Sequence, residues 1–538
     1  MRRSLDALSR RKIPAHQVIS PELSRDLAHL SNESGRQIGL LIGRDGAVET
    51  VLVGGPRSLY IPDLPKNRAG RKRLRGLRLV HTHLEAEPLT QEDLMDLVFL
   101  RLDCIAAIEV DRNGGAVQLD VAHILPSTQK GANGWQLLAP MPCYDPHLDF
   151  PALVRSIEDQ LEGNLASNWS DKEARERAIL VSVADSDRES AKMSMAELIE
   201  LAGAAGISAA DTVIQIRRRK NPKYFIGRGK LSEIVLRALQ CGVDLLIFDQ
   251  ELNPSQVRAI TDTTELRVVD RTQLILDIFA QRAQSREGKI QVEMAQLKYL
   301  LPRLGVKDDA LSRLTGGIGA RGPGETTLEI NRRRIKDRIA QLEDSLKSLR
   351  KRRNLRRTRR TRKEIPVISI VGYTNAGKST LLNALTHSSV FVQDKLFATL
   401  DPVSRRLRFP KDFEVIITDT VGFIKNLPKD LIEAFAATLE ELQEADLLLH
   451  VVDIGNPRFE DQIEAVQSTL SQLDLDKKPT LMVFNKIDTV DADFVEQKKR
   501  KHQGITVSAV NPRTLHPLIA AMEERIAGFL QREAGLVQ

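Results

Sequence analysis

Residues Gly372, Tyr373, Thr374, Asn375, Ala376, Gly377, Lys378 and Ser379 run in the order G-x-x-x-x-G-K-S, and no other feature constrains the chain as much. The apolar run at 365–371 before it reads as a buried strand, and the residues from Lys378 through Thr380 onward read as a helix. That strand–turn–helix context is what a phosphate-binding loop needs. The glycines let backbone N–H groups turn inward on phosphates, and the helix start adds its positive dipole end. Lys378 is placed to reach the β- and γ-phosphates, and Ser379 to ligate Mg2+. The competing reading is a chance glycine turn, and the flanking strand and helix weigh against it.

Such a loop does not separate ATP from GTP. Asn485, Lys486, Ile487 and Asp488 do, following an apolar strand that ends at Phe484. A carboxylate at this spacing can accept two hydrogen bonds from guanine N1–H and N2–H2. Adenine offers no matching donors, and a buried unpaired carboxylate is costly. Ser508, Ala509 and Val510 follow another strand-like run and are expected to turn a backbone N–H toward guanine O6. Between the phosphate loop and the base motif lie Asp419, Thr420, Val421 and Gly422. Asp419 is expected to hold Mg2+ through a water, and the Gly422 amide to sense the γ-phosphate. Upstream, Phe397, Ala398, Thr399, Leu400 and Asp401 form a loop in which the Thr399 hydroxyl is the expected second protein ligand for Mg2+, against the plain reading of an ordinary loop threonine. Lys378, Thr399 and Gly422 are thus the expected catalytic set. Phe423 follows Gly422, where Ras-type enzymes carry a glutamine that orients the attacking water. Phenylalanine cannot do that, so slow intrinsic hydrolysis is expected, raised when a partner orders the switch loops. No other residue stands out as a replacement or as an arginine finger.

With 538 residues the chain has room for three or four domains. It is 42% hydrophobic and 28% charged, a soluble composition, and no apolar run is long enough to span a membrane. The basic start has no apolar stretch after it, so a secretory signal is not expected. Three scattered cysteines, Cys104, Cys143 and Cys241, exclude a disulfide scaffold and fit a reducing cytoplasm. Net charge is +7, yet ten lysines and arginines without an acid sit within 350–363, and the rest of the chain is net −3. A localised positive block points to a polyanion at that place.

Residues 1–174 read as mixed α/β. A second basic cluster at 66–78 reads first as a solvated loop and second as an RNA contact. Residues 175–284 alternate strand and helix patterns, which means crossover units and a parallel sheet. Residues 285–363 read as a helical hairpin. The apolar spacing is helical from about 270 to 304, and Ile335, Ile339, Leu342, Leu346 and Leu349 step by four and three, as in a coiled-coil seam. Residues 364–538 complete the nucleotide domain. The expected fold class is therefore α/β: a P-loop domain with a Rossmann-like parallel sheet, preceded by a small α/β subdomain, a long helical hairpin and an extra N-terminal α/β domain.

The segments FIGRGKL at 225–231, DRTQLILDIFAQRA at 270–283, GARGPGETTLE at 319–329, FATLDP at 397–402, DTVGFI at 419–424 and NKID at 485–488 resemble the HflX family of ribosome-associated GTPases over about 178–538. The resemblance implies GTP and GDP as ligands, Mg2+ as cofactor, binding to the large ribosomal subunit, and hydrolysis stimulated by ribosomes. Members of the family are implicated in splitting stalled ribosomes under stress, and some bind ATP through the N-terminal part. The hairpin tip is glycine-rich and carries Arg313 and Arg321. Glycine admits close backbone approach to phosphate, and arginine supplies bidentate contacts and stacking. With Arg350, Lys351, Arg352, Arg353, Arg356 and Arg357 these are the expected rRNA contacts; a flexible connector and a solvated helix face are the bland alternatives. A cytoplasmic monomer is expected. The rival functions are an assembly GTPase acting as a timer and a metal-dependent hydrolase in residues 1–174.

That last rival rests on His81 and His83, with Thr90 and Asp93 downstream. The pattern resembles the zinc motif of JAMM/MPN-type metalloproteins, where two histidines and an aspartate bind Zn2+ and a glutamate is the base. It departs from that motif in three ways. The spacing is one residue short, a threonine replaces the serine, and Arg36 sits where the glutamate is expected. An active site, a degenerate non-catalytic domain and an unrelated α/β domain all stay open, and histidine pairs on strand ends more often serve structure.

Overall fold

The computed structural model describes residues 2–62, 64, 74–85, 87–125, 134–167, 176–185, 187–304, 327–361, 365–386, 397, 403–409, 414–420, 422–425 and 442–533. The chain is α/β and divides into two compact units, 1–199 with 206–270, and 200–205 with 271–538.

The first unit holds two sheets. Strands β1 (Ile38–Gly43), β2 (Val48–Val53), β3 (Leu77–His83), β4 (Cys104–Val110), β5 (Ala116–Ile124) and β6 (Trp135–Leu137) stand in the order β2-β1-β3-β4-β5-β6, and β7 (Met141–Pro142) also pairs with β5. Only β3 and β4 are parallel, which requires a crossover. The helix Gln91–Phe99 supplies it, started by a capping box between Thr90 and Asp93. The period-two alternation of strand side chains divides the apolar residues between the faces. Ile38, Leu40 and Ile42 join Leu23 and Leu27 of the helix Pro21–Ser34 in one core. Leu41, Leu79, Ile105 and Ala107 belong to a second core that also takes in Leu231, Ile234 and Val235 of the helix Arg228–Cys241.

The second sheet is wholly parallel: β8 (Glu176–Ala184), β9 (Ile207–Ile216), β10 (Leu245–Phe248) and β11 (Arg267–Asp270) in the order β11-β10-β8-β9. Its inner strands β8 and β10 are apolar and mostly buried, whereas the edge strand β9 is largely half-exposed. Ile179, Val181, Leu246 and Phe248 enter the same second core, so one apolar interior runs from Leu41 to Leu266.

Two basic residues differ from the solvated-loop reading of 66–78. Arg78 is fully buried, donates to the carbonyls of Val18 and Gly43, and lies over the Phe150 ring. Arg75 pairs with Glu265 at 2.6 Å. In both cases the guanidinium serves a structural role, because its donors are taken up by carbonyl or carboxylate acceptors of the same unit. The remainder of that cluster from 66 to 73 lies outside the described residues.

In the second unit the helical spacing between 270 and 304 resolves into two helices, Arg271–Arg282 and Arg286–Leu300. The break has a local cause: the Ser285 side chain accepts from the Gly288 amide and starts a new helix. The long helix Thr327–Thr361 pairs with Arg286–Leu300 through Arg338–Glu293 at 2.8 Å and Lys298–Glu343 at 3.3 Å. Leu342 and Leu346 are buried on the stepped seam.

The third sheet contains β12 (Val367–Gly372), β13 (Val403–Arg408), β14 (Glu414–Asp419), β15 (Leu447–Asp453), β16 (Thr480–Asn485) and β17 (Ile505–Thr506), ordered β13-β14-β12-β15-β16-β17. All neighbours are parallel except β13 and β14. The strand order reverses at β12, so the crevice beyond its carboxyl end is the expected ligand position for such a sheet. The phosphate loop leaves from that end.

Candidate nucleotide-binding site

The loop from Gly372 to Gly377 connects β12 to the helix Lys378–Thr386. Two of its glycines are conformationally required. Gly377 has φ +87°, and a Cβ there would run into the Asn485 side-chain amide. Gly372 has φ +153°, and a Cβ would strike the carbonyl of Val451 on neighbouring β15. Asn375 also takes a left-handed φ of 63°.

Lys378 is buried in this loop. Its ammonium donates to the carbonyls of Tyr373 at 2.8 Å and Gly372 at 3.2 Å. Burial lowers its pKa to about 8, and Asp419 partly offsets the shift. His450 on β15 is pushed down to about 4 by burial and by the Lys378 charge, so it stays neutral and adds no competing cation.

Ser379 and Asp419 arrive from different elements and meet. The Ser379 hydroxyl donates to Asp419 Oδ2 at 2.6 Å, because parallel pairing of β12 with β14 sets the end of β14 beside the helix start. A hydroxyl and a carboxylate side by side, next to a phosphate loop, form an oxygen donor set that suits Mg2+. Thr420 donates to the Ile370 carbonyl, which anchors the start of the following loop. Gly422 lies against the loop: a Cβ there would crowd Lys378 Nζ and Thr374. Phe423 is buried at 3% exposure and forms a parallel bridge with Tyr373. Its amide donates to the Gly372 carbonyl at 3.1 Å, and its carbonyl accepts from the Thr374 amide at 2.8 Å.

Phe397 is buried, its ring edge-on to that of Phe279 in the helix Arg271–Arg282, with centroids 4.6 Å apart. Ala398, Thr399, Leu400, Asp401 and Val421 lie outside the described residues, as do Arg313 and Arg321. Arg350, Lys351, Arg352, Arg353, Arg356 and Arg357 fall within the helix Thr327–Thr361, which takes in the basic run as far as Thr361.

On the base side, Asn485 is a staple. Its amide donates to the Ala376 carbonyl at 2.9 Å, and its carbonyl accepts from the Ala509 amide at 3.0 Å. Of the amides of 508–510, from which one was expected to turn toward guanine O6, that of Ala509 is committed to Asn485 and that of Ser508 to Thr514 in this arrangement. Asp488 is exposed, and its carboxylate accepts from the Ser508 hydroxyl at 2.5 Å. The carboxylate is therefore not buried in advance, and any cost of leaving it unpaired arises only when a base covers it. Lys486, in a left-handed conformation at φ 63°, pairs with Asp453 at 2.8 Å. Val510 is exposed.

Sequence reasoning missed three supporting residues. Asp453 holds Lys486, and its place at the end of an apolar strand was the available signal. Thr514 accepts from the Ser508 amide and so fixes that loop. Phe279 meets Phe397, a pairing between residues more than a hundred positions apart that no local pattern announces. In the first unit, His81, His83 and Asp93 do come together.

Residues 192–280 match a family described as GTP-binding GTPase N-terminal, 282–360 its Middle Region, and 367–486 a family described as 50S ribosome-binding GTPase. The GTPase HflX of Caldanaerobacter subterraneus subsp. tengcongensis is 48% identical over 352 residues, covering 65% of this chain and 81% of that protein. The GTPase HflX of Escherichia coli K12 is 43% identical over 363 residues, covering 66% and 84%. A crystal structure of a GTP-binding protein from Sulfolobus solfataricus with GDP is 26% identical, covers 66% of this chain and 99% of that one, and has a TM-score of 0.35.

Proposed function

Because the chain belongs to the HflX family of GTPases, we propose that it couples GTP hydrolysis to association with the large ribosomal subunit, splitting or rescuing stalled ribosomes under stress. It is a GTP-binding P-loop GTPase. The observation that carries the ribosomal reading is one of chain continuity. The helix Thr327–Thr361 carries most of the basic stretch and reaches to six residues before β12, the strand that delivers the phosphate loop. An rRNA contact at 350–363 would therefore act directly upstream of the nucleotide. The description of the matched family as 50S ribosome-binding supports the same partner.

In this reading Lys378 transfers its hydrogen bonds from the loop carbonyls to the β- and γ-phosphates. Ser379 and Thr399 would hold Mg2+, with Asp419 acting through a water, and the ion would supply charge neutralisation on the phosphates. Gly422 and Thr399 answer to the γ-phosphate, and ordering of their loops is the two-state element. Asp488 selects guanine, with Ser508 as its partner until the base arrives. Phe423 supplies no water-orienting group, so the ribosome is proposed to raise a slow basal rate. A cytoplasmic monomer and ATP as a further ligand of the amino-terminal part belong to the same proposal; no helix among the described residues is long and apolar enough to cross a membrane.

The test is GTP turnover by the full-length protein, alone and with large ribosomal subunits, with Lys378→Ala as the blank. Stimulation of at least about tenfold that fades with added salt is expected, because the contact is ionic. Appreciable turnover alone with no stimulation would overturn the ribosomal reading. Stimulation without any separation of intact ribosomes would leave an assembly timer instead.

A further inference from the structure

The geometry points to a divalent metal site of the zinc class in the first unit, built by His81, His83 and Asp93, with one coordination position left for water. Among the described residues these three form the one group of three or more histidine, cysteine or acidic side chains whose ligand atoms lie within 4.8 Å of one another.

The sequence builds the site locally. His81 and His83 are two apart on β3, so they project from the same face of the sheet. Asp93 is the third residue of the helix that crosses from β3 to β4, and the capping box turns it back toward the strand end. His81 Nε2 lies 2.9 Å from His83 Nε2 and 3.2 Å from Asp93 Oδ1. A tetrahedral zinc site with bonds near 2.0–2.1 Å has ligand-to-ligand distances of about 3.3 Å. The spacing is therefore that of ligands around one ion.

The proton positions make the case stronger. His83 Nδ1 faces the Glu87 carbonyl at 2.8 Å. A carbonyl only accepts, so Nδ1 carries the hydrogen and neutral His83 aims the Nε2 lone pair at His81. If His81 carries its hydrogen on Nδ1, two lone pairs and a carboxylate face one another, and Nδ1–H has no acceptor. If the hydrogen is on Nε2, then Nδ1 is a buried acceptor without a donor. In both cases Nδ1 has no hydrogen-bond partner, at a side chain with 0% exposure. A cation facing both Nε2 atoms removes the conflict between their lone pairs, and it holds His81 in the tautomer whose Nδ1–H stays without an acceptor. Two of the three ligands have the outer contacts of a metal site: a carbonyl orients His83, while the Thr90 amide and hydroxyl hold Asp93 Oδ2 at 2.7 and 2.6 Å and leave Oδ1 for the ion. Three protein ligands leave a fourth position, and Asp93, the least buried of the three at 16% side-chain exposure, marks the side open to water.

The test uses full-length protein stripped with a chelator and kept in excess Mg2+ and GDP to fill the nucleotide site. Zinc is titrated in competition with a chromophoric chelator. One equivalent should bind. His83→Asn and Asp93→Asn should each weaken binding by more than about a hundredfold. His147→Gln, at an exposed histidine beside Asp145, should leave it unchanged. Cobalt(II) on the unmodified protein should show the intense visible bands of a four-coordinate ion. If a variant fails to fold, that spectrum decides. No stoichiometric zinc, zinc binding indifferent to His83→Asn and Asp93→Asn, or a weak six-coordinate cobalt spectrum would each overturn the assignment and leave the two histidines sharing a proton.

Discussion

The carbonyl of Phe423 accepts the amide of Thr374 at 2.8 Å, so the residue standing in the water-orienting position is hydrogen-bonded to the phosphate loop itself. Its side chain is buried, and its amide is bonded as well. Phe423→Gln is therefore expected not to restore a Ras-like rate. Single-turnover hydrolysis should change less than about threefold, because backbone bonds fix where the side chain goes. The variant should instead lose about 1–3 kcal/mol of stability from burying an amide, visible as a lower melting temperature. A rise of tenfold or more in turnover would refute this.

The edge-to-face pair of Phe279 and Phe397 holds Phe397, two positions before Thr399 in the sequence, against the helix Arg271–Arg282. Phe279→Ala and Phe397→Ala should each alter the release rate of fluorescent GDP. The double variant should fall short of the sum by about 0.5–1.5 kcal/mol, the usual worth of an aromatic pair. Strict additivity would mean that the contact does not reach the nucleotide.

Lys378 sets a pH dependence of binding. Its pKa in the nucleotide-free protein is lowered to about 8 by burial. Phosphates favour the charged form and raise it in the complex. Below pH 8 the ammonium is already present, so GDP affinity should be flat. Above pH 8 binding must take up a proton, so affinity should fall by up to about tenfold per pH unit. Titration calorimetry between pH 7 and 9 reads this directly. Lys378→Met should bind weakly and show no break near pH 8.

Asp488→Asn should lower GDP affinity by about 10–100-fold, the range for removing a charged hydrogen-bond acceptor, and should improve the relative binding of xanthosine diphosphate. Ser508→Ala removes only the hydroxyl that occupies Asp488 before the base does. Its effect should be small, within a few-fold. Unchanged guanine preference in Asp488→Asn would place specificity elsewhere.

The nucleotide site was largely legible because its chemistry is local. A strand, a glycine turn and a helix start lie within one short stretch, and φ values that only glycine tolerates easily are written into positions 372 and 377. The helical seam was legible for a similar reason: a step of four and three is a property of a single helix. Harder features came from groups far apart in the chain. Arg75 and Arg78 looked like loop charges until their partners Glu265, Val18 and Gly43 were in place. Asn485 was readable as part of the base motif, but that it also holds Ala376 and Ala509 together was not.

By itself the chain order determined the fold class, the phosphate loop, the choice of guanine over adenine as the expected base, and the place where positive charge collects. These follow from short-range geometry and residue chemistry. Tertiary structure alone decided that Phe423 is hydrogen-bonded to the loop it follows in space, that Phe397 meets Phe279, and that His81, His83 and Asp93 converge with the Nδ1 of His81 unsatisfied. Those outcomes depend on which buried groups find partners across the fold, and that depends on distances the linear order does not contain.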